Sequence, residues 1–304
     1  MEAINPISNF LITGANGQLG RALQQTLNAQ EITHSALSHQ DLDITDELRV
    51  EEMLDALKPT HLINTAAWTN VDAAESNQLQ AIALNGTAIK GIAALCEKRN
   101  VKLIHISTDY VFSGLASKPW AREAQPCPTS VYGTSKALGE KAVSEGAPNN
   151  GFIVRTAWLY SPWGKNFAKT ILRKALYESD YLEVVDDQIG QPTSALDVAV
   201  KLVELSQSEF APGIYHATNS GQASWFDFAK YIFLVSESDS ARVRSIKSTD
   251  LIQPAPRPSF SVLDDSCWSD SDSPPLQEWR DAFVSALPSI VEELKLEMET
   301  LENH

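Results

Sequence analysis

The sequence predicts an α/β fold: a doubly wound parallel sheet with helices on both faces, and a smaller substrate-binding region toward the C-terminus. Three observations carry this prediction. Short apolar strands alternate with helix-spaced segments through residues 1–160, the pattern of a parallel sheet. A glycine-rich turn, Gly14-Ala15-Asn16-Gly17-Gln18-Leu19-Gly20, lies between the first strand and the first helix. Chemistry-bearing residues then recur at strand ends, where such sheets bind ligands.

Phe10-Leu11-Ile12-Thr13 is a short apolar run ending at a glycine and reads as a buried strand. Residues 32–37 form the second. Thr45 is expected to cap a helix whose apolar face is Val50, Met53, Leu54 and Leu57, closed by Pro59. His61-Leu62-Ile63-Asn64 is the third strand. Residues 82–96 have helical spacing at Ile82, Ile89, Ile92, Ala93 and Cys96. Residues 101–107 and 152–154 are the fourth and fifth strands. Beyond residue 160, helices are expected at 166–178, 194–206 and 225–236, with strands near 182–185 and 213–217. Residues 264–275, rich in Asp, Ser and Pro, read as a surface loop, and 289–302 as a final acidic helix. Residues 1–160 are thus a dinucleotide-binding domain, and 161–304 a substrate-binding region partly interleaved with it.

Composition narrows the function. Hydrophobic residues make up 43% of 304, enough for a substantial core. A net charge of −15 argues against a nucleic-acid partner, which needs a basic face. There is no unbroken apolar run long enough for a membrane span, and residues 1–6 lack a secretory start. Cys96, Cys127 and Cys267 fit no zinc or redox spacing. A cytoplasmic protein, monomeric or weakly dimeric, is expected.

The glycine spacing G-x-x-G-x-x-G suits a tight turn, close approach to a pyrophosphate and an anion at the helix N-terminus. Alone it is weak, because such turns also join ordinary strands to helices. Placed after a strand and before a helix, it predicts a Rossmann-type nucleotide site. NAD-selective sites carry an acid at the end of the second strand. Here that position holds Ser38-His39, with Asp41 the nearest acid. NADPH is the expected cofactor, with NADH possible, and Asp43-Ile44 would flank the adenine.

Tyr132-Gly133-Thr134-Ser135-Lys136 puts a phenol and an ammonium on one helical face. A phenol of pKa roughly 10 donates a proton reluctantly near neutrality, and a nearby ammonium stabilises its phenolate. The pair therefore suits general-acid catalysis of carbonyl reduction. Tyr-x-x-x-Lys is common as a surface pair and gains meaning from the glycine turn upstream. Ser107-Thr108-Asp109-Tyr110 ends the fourth strand and offers hydroxyls for a substrate carbonyl. His105 and His216 sit in apolar strands without partners at metal-ligand spacing and read as core histidines.

Taken together, the glycine turn, Asn64-Thr65-Ala66-Ala67, Asn85-Gly86-Thr87, Ser107-Thr108 and Tyr132/Lys136 resemble the extended short-chain dehydrogenase/reductases. More narrowly the chain resembles the dTDP-4-dehydrorhamnose reductase family. The segments that carry this are Asp41 to Thr45, Ala67 to Glu75, Ser107 to Gly114, Arg155 to Tyr160, Asn166 to Thr170, Asp187 to Thr193 and Arg257-Pro258. The resemblance implies hydride transfer from NADPH to C4 of dTDP-4-dehydro-L-rhamnose, a dTDP-linked 4-keto-6-deoxyhexose. It implies that Thr108 orients the carbonyl, Tyr132 donates the proton, and Lys136 binds the nicotinamide ribose and tunes Tyr132. Gly14, Asn16, Gly17, Gln18, Leu19, Gly20, Ser38, Asp43, Ile44, Ala66 and Ala67 would hold the cofactor. Thr69, Asp109, Tyr110 and Trp158 would line the sugar pocket, and Asn166 and Arg257 would reach the diphosphate. Some relatives bind a metal through an acid early in the first helix. That helix here begins Arg21-Ala22, so no metal is expected.

Two alternatives stay open. A nucleotide-sugar 4,6-dehydratase or epimerase would share the fold, although a dehydratase needs a carboxylate where this chain has Tyr110. A non-catalytic subunit that senses NADPH is the other.

Overall fold

The computed structural model describes residues 8–268 and 273–302. The reading of residues 1–6 as lacking a signal, and the centre of the 264–275 loop, lie outside these. Five strands come from the first half of the chain: β1 (Phe10–Thr13), β2 (His34–Leu37), β3 (His61–Asn64), β4 (Lys102–Thr108) and β5 (Gly151–Thr156). A sixth, Gly213–His216, pairs with β5, and the order across the sheet is Gly213–His216, β5, β4, β3, β1, β2. Every pairing in it is parallel. Because β1 lies between β2 and β3, the chain leaves it in both directions, and its carboxyl end opens the crevice where ligands bind.

Alternation of side chains explains why the strands are buried on both faces. Phe10 and Ile12 pack with Leu23 and Leu27 of helix α1 (Gln18–Ala29) and with Val198 and Leu202 of helix Ala195–Gln207. Leu11 and Leu62 point the other way, onto Val50 and Leu54 of helix α2 (Glu47–Leu57) and Ile89 and Ile92 of helix Ala88–Arg99. Each such side chain contributes about 1.5–3 kcal/mol by leaving water. The sixth strand and the Ala195–Gln207 helix both lie beyond residue 160, so the later half of the chain completes the sheet. A second apolar cluster, including Leu172, Phe228, Phe233 and Phe283, joins helices Phe167–Tyr177, Trp225–Val235 and Trp279–Glu302.

Local differences from the sequence reading have physical causes. Asp46, not Thr45, caps α2, accepting from the Arg49 N–H at 3.1 Å. The Thr45 hydroxyl is drawn back to Asp43 Oδ1 at 2.8 Å. The last helix begins at Trp279 and continues through Pro288. Its buried stripe of Trp279, Ala282, Phe283, Ala286 and Ile290 outweighs the single hydrogen bond a proline removes. Residues Gln78–Arg99 form one helical stretch with the length and hydropathy to cross a membrane. In this fold Ile89, Ile92, Ala93 and Cys96 of that stretch are buried against the sheet. A π turn, Ala83–Thr87, interrupts it at Asn85.

The interior also holds an ion pair. Arg155 on β5 is fully buried, and Glu140, on helix Val131–Gly146, nearly so. Two hydrogen bonds of 2.8 and 2.7 Å join them. Glu140 Oε1 also accepts from the Ser107 hydroxyl at 2.6 Å, so one carboxylate ties β4, β5 and the helix together. Glu140→Gln leaves a buried guanidinium uncompensated. It should lower the unfolding free energy by about 3–5 kcal/mol in urea denaturation; a loss within error of zero would show that the pair is not a structural tie.

Candidate active site

The crevice begins where β1 turns. Gly14 has φ +73°, and a Cβ there would stand 2.6 Å from the Ala66 nitrogen, so glycine is needed on both counts. A Cβ at Gly20 would meet the Gly14 carbonyl at 2.3 Å; this glycine packs the helix under the turn rather than facing the cleft. Gly17 caps α1 with no side-chain hydrogen bond, and the first turn carries no acid. That helix N-terminus therefore offers free N–H groups and a positive dipole end, which fits a diphosphate. The Thr65 hydroxyl, donating to the Thr13 carbonyl at 2.6 Å, stitches the end of β3 to the same turn.

The end of β2 is less simple. Residues 38 and 39 are not acidic, yet Asp41 folds back so that its carboxylate accepts from the Ser38 N–H at 2.9 Å and the Ser38 hydroxyl at 2.6 Å. These bonds lower the Asp41 pKa. An ionised acid thus stands at the strand end, where the sequence pattern shows none. Ser38 and Asp43 are occupied by local bonds, while His39, Leu42 and Ile44 face the cleft.

The cleft encloses about 780 Å³. Asn16, Gln18, Leu19, Ala66, Ala67 and Thr69 line it, as do Thr108, Asp109, Tyr110, Tyr132, Lys136 and Trp158. Helix Val131–Gly146 starts at Ser130, whose side chain accepts from the Gly133 N–H at 3.1 Å. Glycines let this helix press on its neighbours: a Cβ at Gly133 would lie 2.2 Å from the Tyr110 carbonyl oxygen, and one at Gly139 2.3 Å from that of Asn85. Asn85, in the π turn, donates to the Trp68 carbonyl and the Ser135 hydroxyl, and accepts from the Trp68 N–H. One side chain thereby fixes the loop after β3 against the Tyr132 helix.

Electrostatics at this wall are set by burial. Desolvation pushes the Tyr132 phenol up to about 12, with the neighbouring Thr108 hydroxyl pulling it back and Asp109 raising it. The Tyr132 hydroxyl therefore stays protonated at neutral pH. The expected tuning by the ammonium is not what dominates here: Lys136 Nζ donates instead to the Ile106 carbonyl and reaches His105 Nε2 at 3.4 Å. Burial drops the Lys136 pKa to about 8, against the pull of Glu140. Asp109 is raised to about 6 by burial; its Oδ1 takes the Thr108 proton at 2.8 Å and its Oδ2 has no partner.

Opposite stands an aromatic wall. Trp158 has φ +45°, strained for a bulky residue. It lies flat on Trp225, centroids 3.4 Å apart and planes 5° from parallel. A Cβ at Gly190 would fall 2.4 Å from the Trp158 ring, so glycine makes that placement possible. Asn166 caps helix Phe167–Tyr177 and donates to Gln18 Oε1 at 3.0 Å, beside the cleft rather than in its lining. Arg257 is turned to Asp72, at 2.8 Å, and to the Ala255 carbonyl. A second cation on the lining besides Lys136 is Lys165, which the sequence pattern did not single out, as it did not Trp225. Among the described residues no three His, Cys, Asp or Glu side chains are grouped to hold a metal.

Fold and cleft together define an extended short-chain dehydrogenase/reductase. The RmlD substrate binding domain family model matches residues 8–292. A dTDP-4-dehydrorhamnose reductase of Streptomyces griseus is 41% identical over 289 residues, covering 94% of this chain and 95% of that protein. A dTDP-4-keto-6-deoxy-D-glucose reductase of Streptomyces niveus is 39% identical over 280 residues, 92% of this chain and 96% of that one. The crystal structure of a Bacillus anthracis dTDP-4-dehydrorhamnose reductase in complex with NADP superposes with a TM-score of 0.88 at 35% identity, covering 92% and 98% of the two chains. The chain belongs to the dTDP-4-dehydrorhamnose reductase family.

The Lys136 environment is directly measurable. Followed by NMR of labelled lysine and assigned by Lys136→Arg, its amine should be protonated below, and neutral above, a midpoint of about 8. A midpoint at the ordinary lysine value would mean that the ammonium is solvated.

Proposed function

We propose that the protein reduces the 4-keto group of a dTDP-linked 6-deoxyhexose, dTDP-4-dehydro-L-rhamnose, to the alcohol at the expense of NADPH. The observation that supports this most directly is that Thr108, Tyr132 and Lys136, from β4 and one helix, line the same cleft as the Gly14–Gly17 turn. The turn and the N-terminus of α1 would hold the cofactor diphosphate, Ile44 and Leu42 the adenine, and Lys136 the nicotinamide ribose. When bound, the nicotinamide supplies a hydride.

The protein's own part is proton delivery and orientation. As a C–H bond forms at C4, the carbonyl electron pair moves onto oxygen. The Tyr132 hydroxyl gives that oxygen its proton, and the phenolate left behind recovers one from solvent. The charge on Lys136 favours that transient phenolate. The Thr108 hydroxyl, which donates to Asp109 in the free protein, would turn its one proton to the carbonyl oxygen and orient it. Trp158 and Trp225 would offer apolar aromatic surface beside the sugar, and Lys165 at the rim suits the sugar-nucleotide diphosphate. A dehydratase reading gains nothing here, because Tyr110 is a buried phenol with its pKa raised where that chemistry wants a carboxylate. Asp41 is not on the cleft lining, but its ionised carboxylate, held at Ser38, would disfavour a 2′-phosphate bound near the end of β2, so NADH should also serve.

Two experiments test this. With dTDP-4-dehydro-L-rhamnose generated in situ, Tyr132→Phe should lose about 10²–10⁴-fold in kcat while binding NADPH as before, read from absorbance at the NADPH band and from fluorescence titration. Wild-type turnover in that variant removes the assigned role, and hexose dehydration without NADPH consumption removes the reductase reading. Asp41→Ala should shift the ratio of kcat/KM for NADPH over NADH upward several-fold; an unchanged ratio means that this carboxylate does not face the ribose.

A further inference from the structure

Beneath the cleft floor lies a buried polar chain that the reductase reading leaves unused. Thr13 on β1, Asn64 on β3 and His105 on β4 sit side by side across the sheet, exposed by 2%, 1% and 1%. The Thr13 hydroxyl donates to Asn64 Oδ1 at 2.6 Å, and the Asn64 amide nitrogen lies 3.0 Å from His105 Nδ1. The far ring nitrogen, Nε2, is 3.4 Å from Lys136 Nζ, so that both ring nitrogens of His105 face a donor. Room for the ring comes from Gly139, where a Cβ would stand 3.0 Å from Nε2.

We propose that His105 is a positioning residue: a neutral imidazole whose Nε2 accepts one proton of the Lys136 ammonium and so fixes where that ammonium stands in the cleft. The proposal rests on the reductase reading for its functional meaning, not for its geometry. An ammonium has only protons to give, so the nitrogen facing it must carry the lone pair. The imidazole proton then sits on Nδ1 and needs an acceptor. Asn64 supplies one when its amide is turned end for end from the orientation just given, with the carbonyl oxygen facing the ring and the NH₂ facing the Thr13 hydroxyl oxygen. The two ends are nearly equal in shape, and the turn leaves one donor and one acceptor at each contact with the ring. Burial and the nearby ammonium hold the His105 pKa well below the usual range, which keeps the ring neutral. With the Ile106 carbonyl taking a second proton, one of the three ammonium protons remains for a ligand. A histidine that merely fills the core would instead hold its proton on Nε2, aimed at the lysine, and would accept from Asn64.

The two cases differ in a measurable tautomer. In protein labelled with ¹⁵N-histidine, with His105 assigned by its loss in His105→Gln, long-range ¹⁵N–¹H spectra at neutral pH should show a protonated Nδ1 and a bare Nε2. That Nε2 signal should move in Lys136→Met. A protonated Nε2, or a signal indifferent to Lys136→Met, overturns the proposal. In the reductase assay, His105→Phe should lower kcat about tenfold, and His105→Gln, which restores an acceptor near the Nε2 position, should recover most of it. Equal kcat in folded His105→Phe and wild type also overturns it. If wild type reduces nothing, the reductase reading fails while the tautomer result still stands or falls alone.

Discussion

A cation held away from water must be given partners, and this structure is arranged around two of them. Lys136 and Arg155 are both nearly inaccessible, and leaving either unpaired would cost several kcal/mol. Helix Val131–Gly146 answers with Tyr132, Lys136 and Glu140 at four-residue spacing, one face turned to the sheet. Glu140 neutralises Arg155 directly and pulls on Lys136 through space. β4 adds the Ile106 carbonyl and the His105 ring to Lys136, and the Ser107 hydroxyl to Glu140. The strand end that presents Thr108 is thereby locked to the helix that presents Tyr132. The proposed catalytic geometry and the interior electrostatics are here one arrangement, which is why this wall of the cleft is built from a deeply buried part of the fold.

Much of this was legible in the chain because it depends on neighbours in sequence. The Gly14 turn, the strand periodicity of Phe10–Thr13 and His61–Asn64, and the four-residue step from Tyr132 to Lys136 are local patterns with local causes. What was not legible depends on long-range meetings. Residues 38 and 39 hide the acid that Asp41 returns to the end of β2, because a turn three residues long does the returning. Glu140 and Arg155 look like unrelated surface charges until β5 is laid against β4. Gly190 gives no sign that a tryptophan ring will rest on it, nor Trp225 that it will stack on Trp158. Arg257 was expected to reach a diphosphate; its partner Asp72, at 2.8 Å, is 185 positions away in the chain, a pairing that no local pattern announces. The π turn at Asn85 had a faint signal in an Asn-Gly pair inside a helical run, since glycine in mid-helix costs about 1 kcal/mol and asks for a reason.

The two halves of the cleft differ in how rigidity is obtained. The side proposed for the nucleotide relies on backbone: glycines at 14 and 20 let main chain lie against main chain, and the open N-terminus of α1 needs no side chain to meet an anion. The side proposed for the sugar relies on aromatic surface. Trp158 accepts an unfavourable backbone conformation, and its ring is held by Trp225 on one face and by the space that Gly190 leaves on the other. Strain of this kind, on the order of 1–3 kcal/mol, persists only where the surroundings over-determine it. A stacked indole pair and a glycine floor do that here.

Gln18 connects the halves. It is the first residue of α1, on the nucleotide side, yet its Oε1 accepts from the Ser161 hydroxyl at 3.1 Å and from Asn166 Nδ2 at 3.0 Å. Asn166 in turn caps the helix that opens the substrate-side cluster. The loop carrying Gly164 and Lys165 is therefore pinned at both ends to the residue that follows the glycine turn. A side chain of a looser kind would leave that loop to be ordered by the ligand, at an entropic cost of about 0.5–1.5 kcal/mol for each group immobilised. Tying it through Gln18 meets that cost during folding, so Lys165 at the rim and the N-terminus of α1, proposed to hold the diphosphate, already share one frame before any ligand arrives.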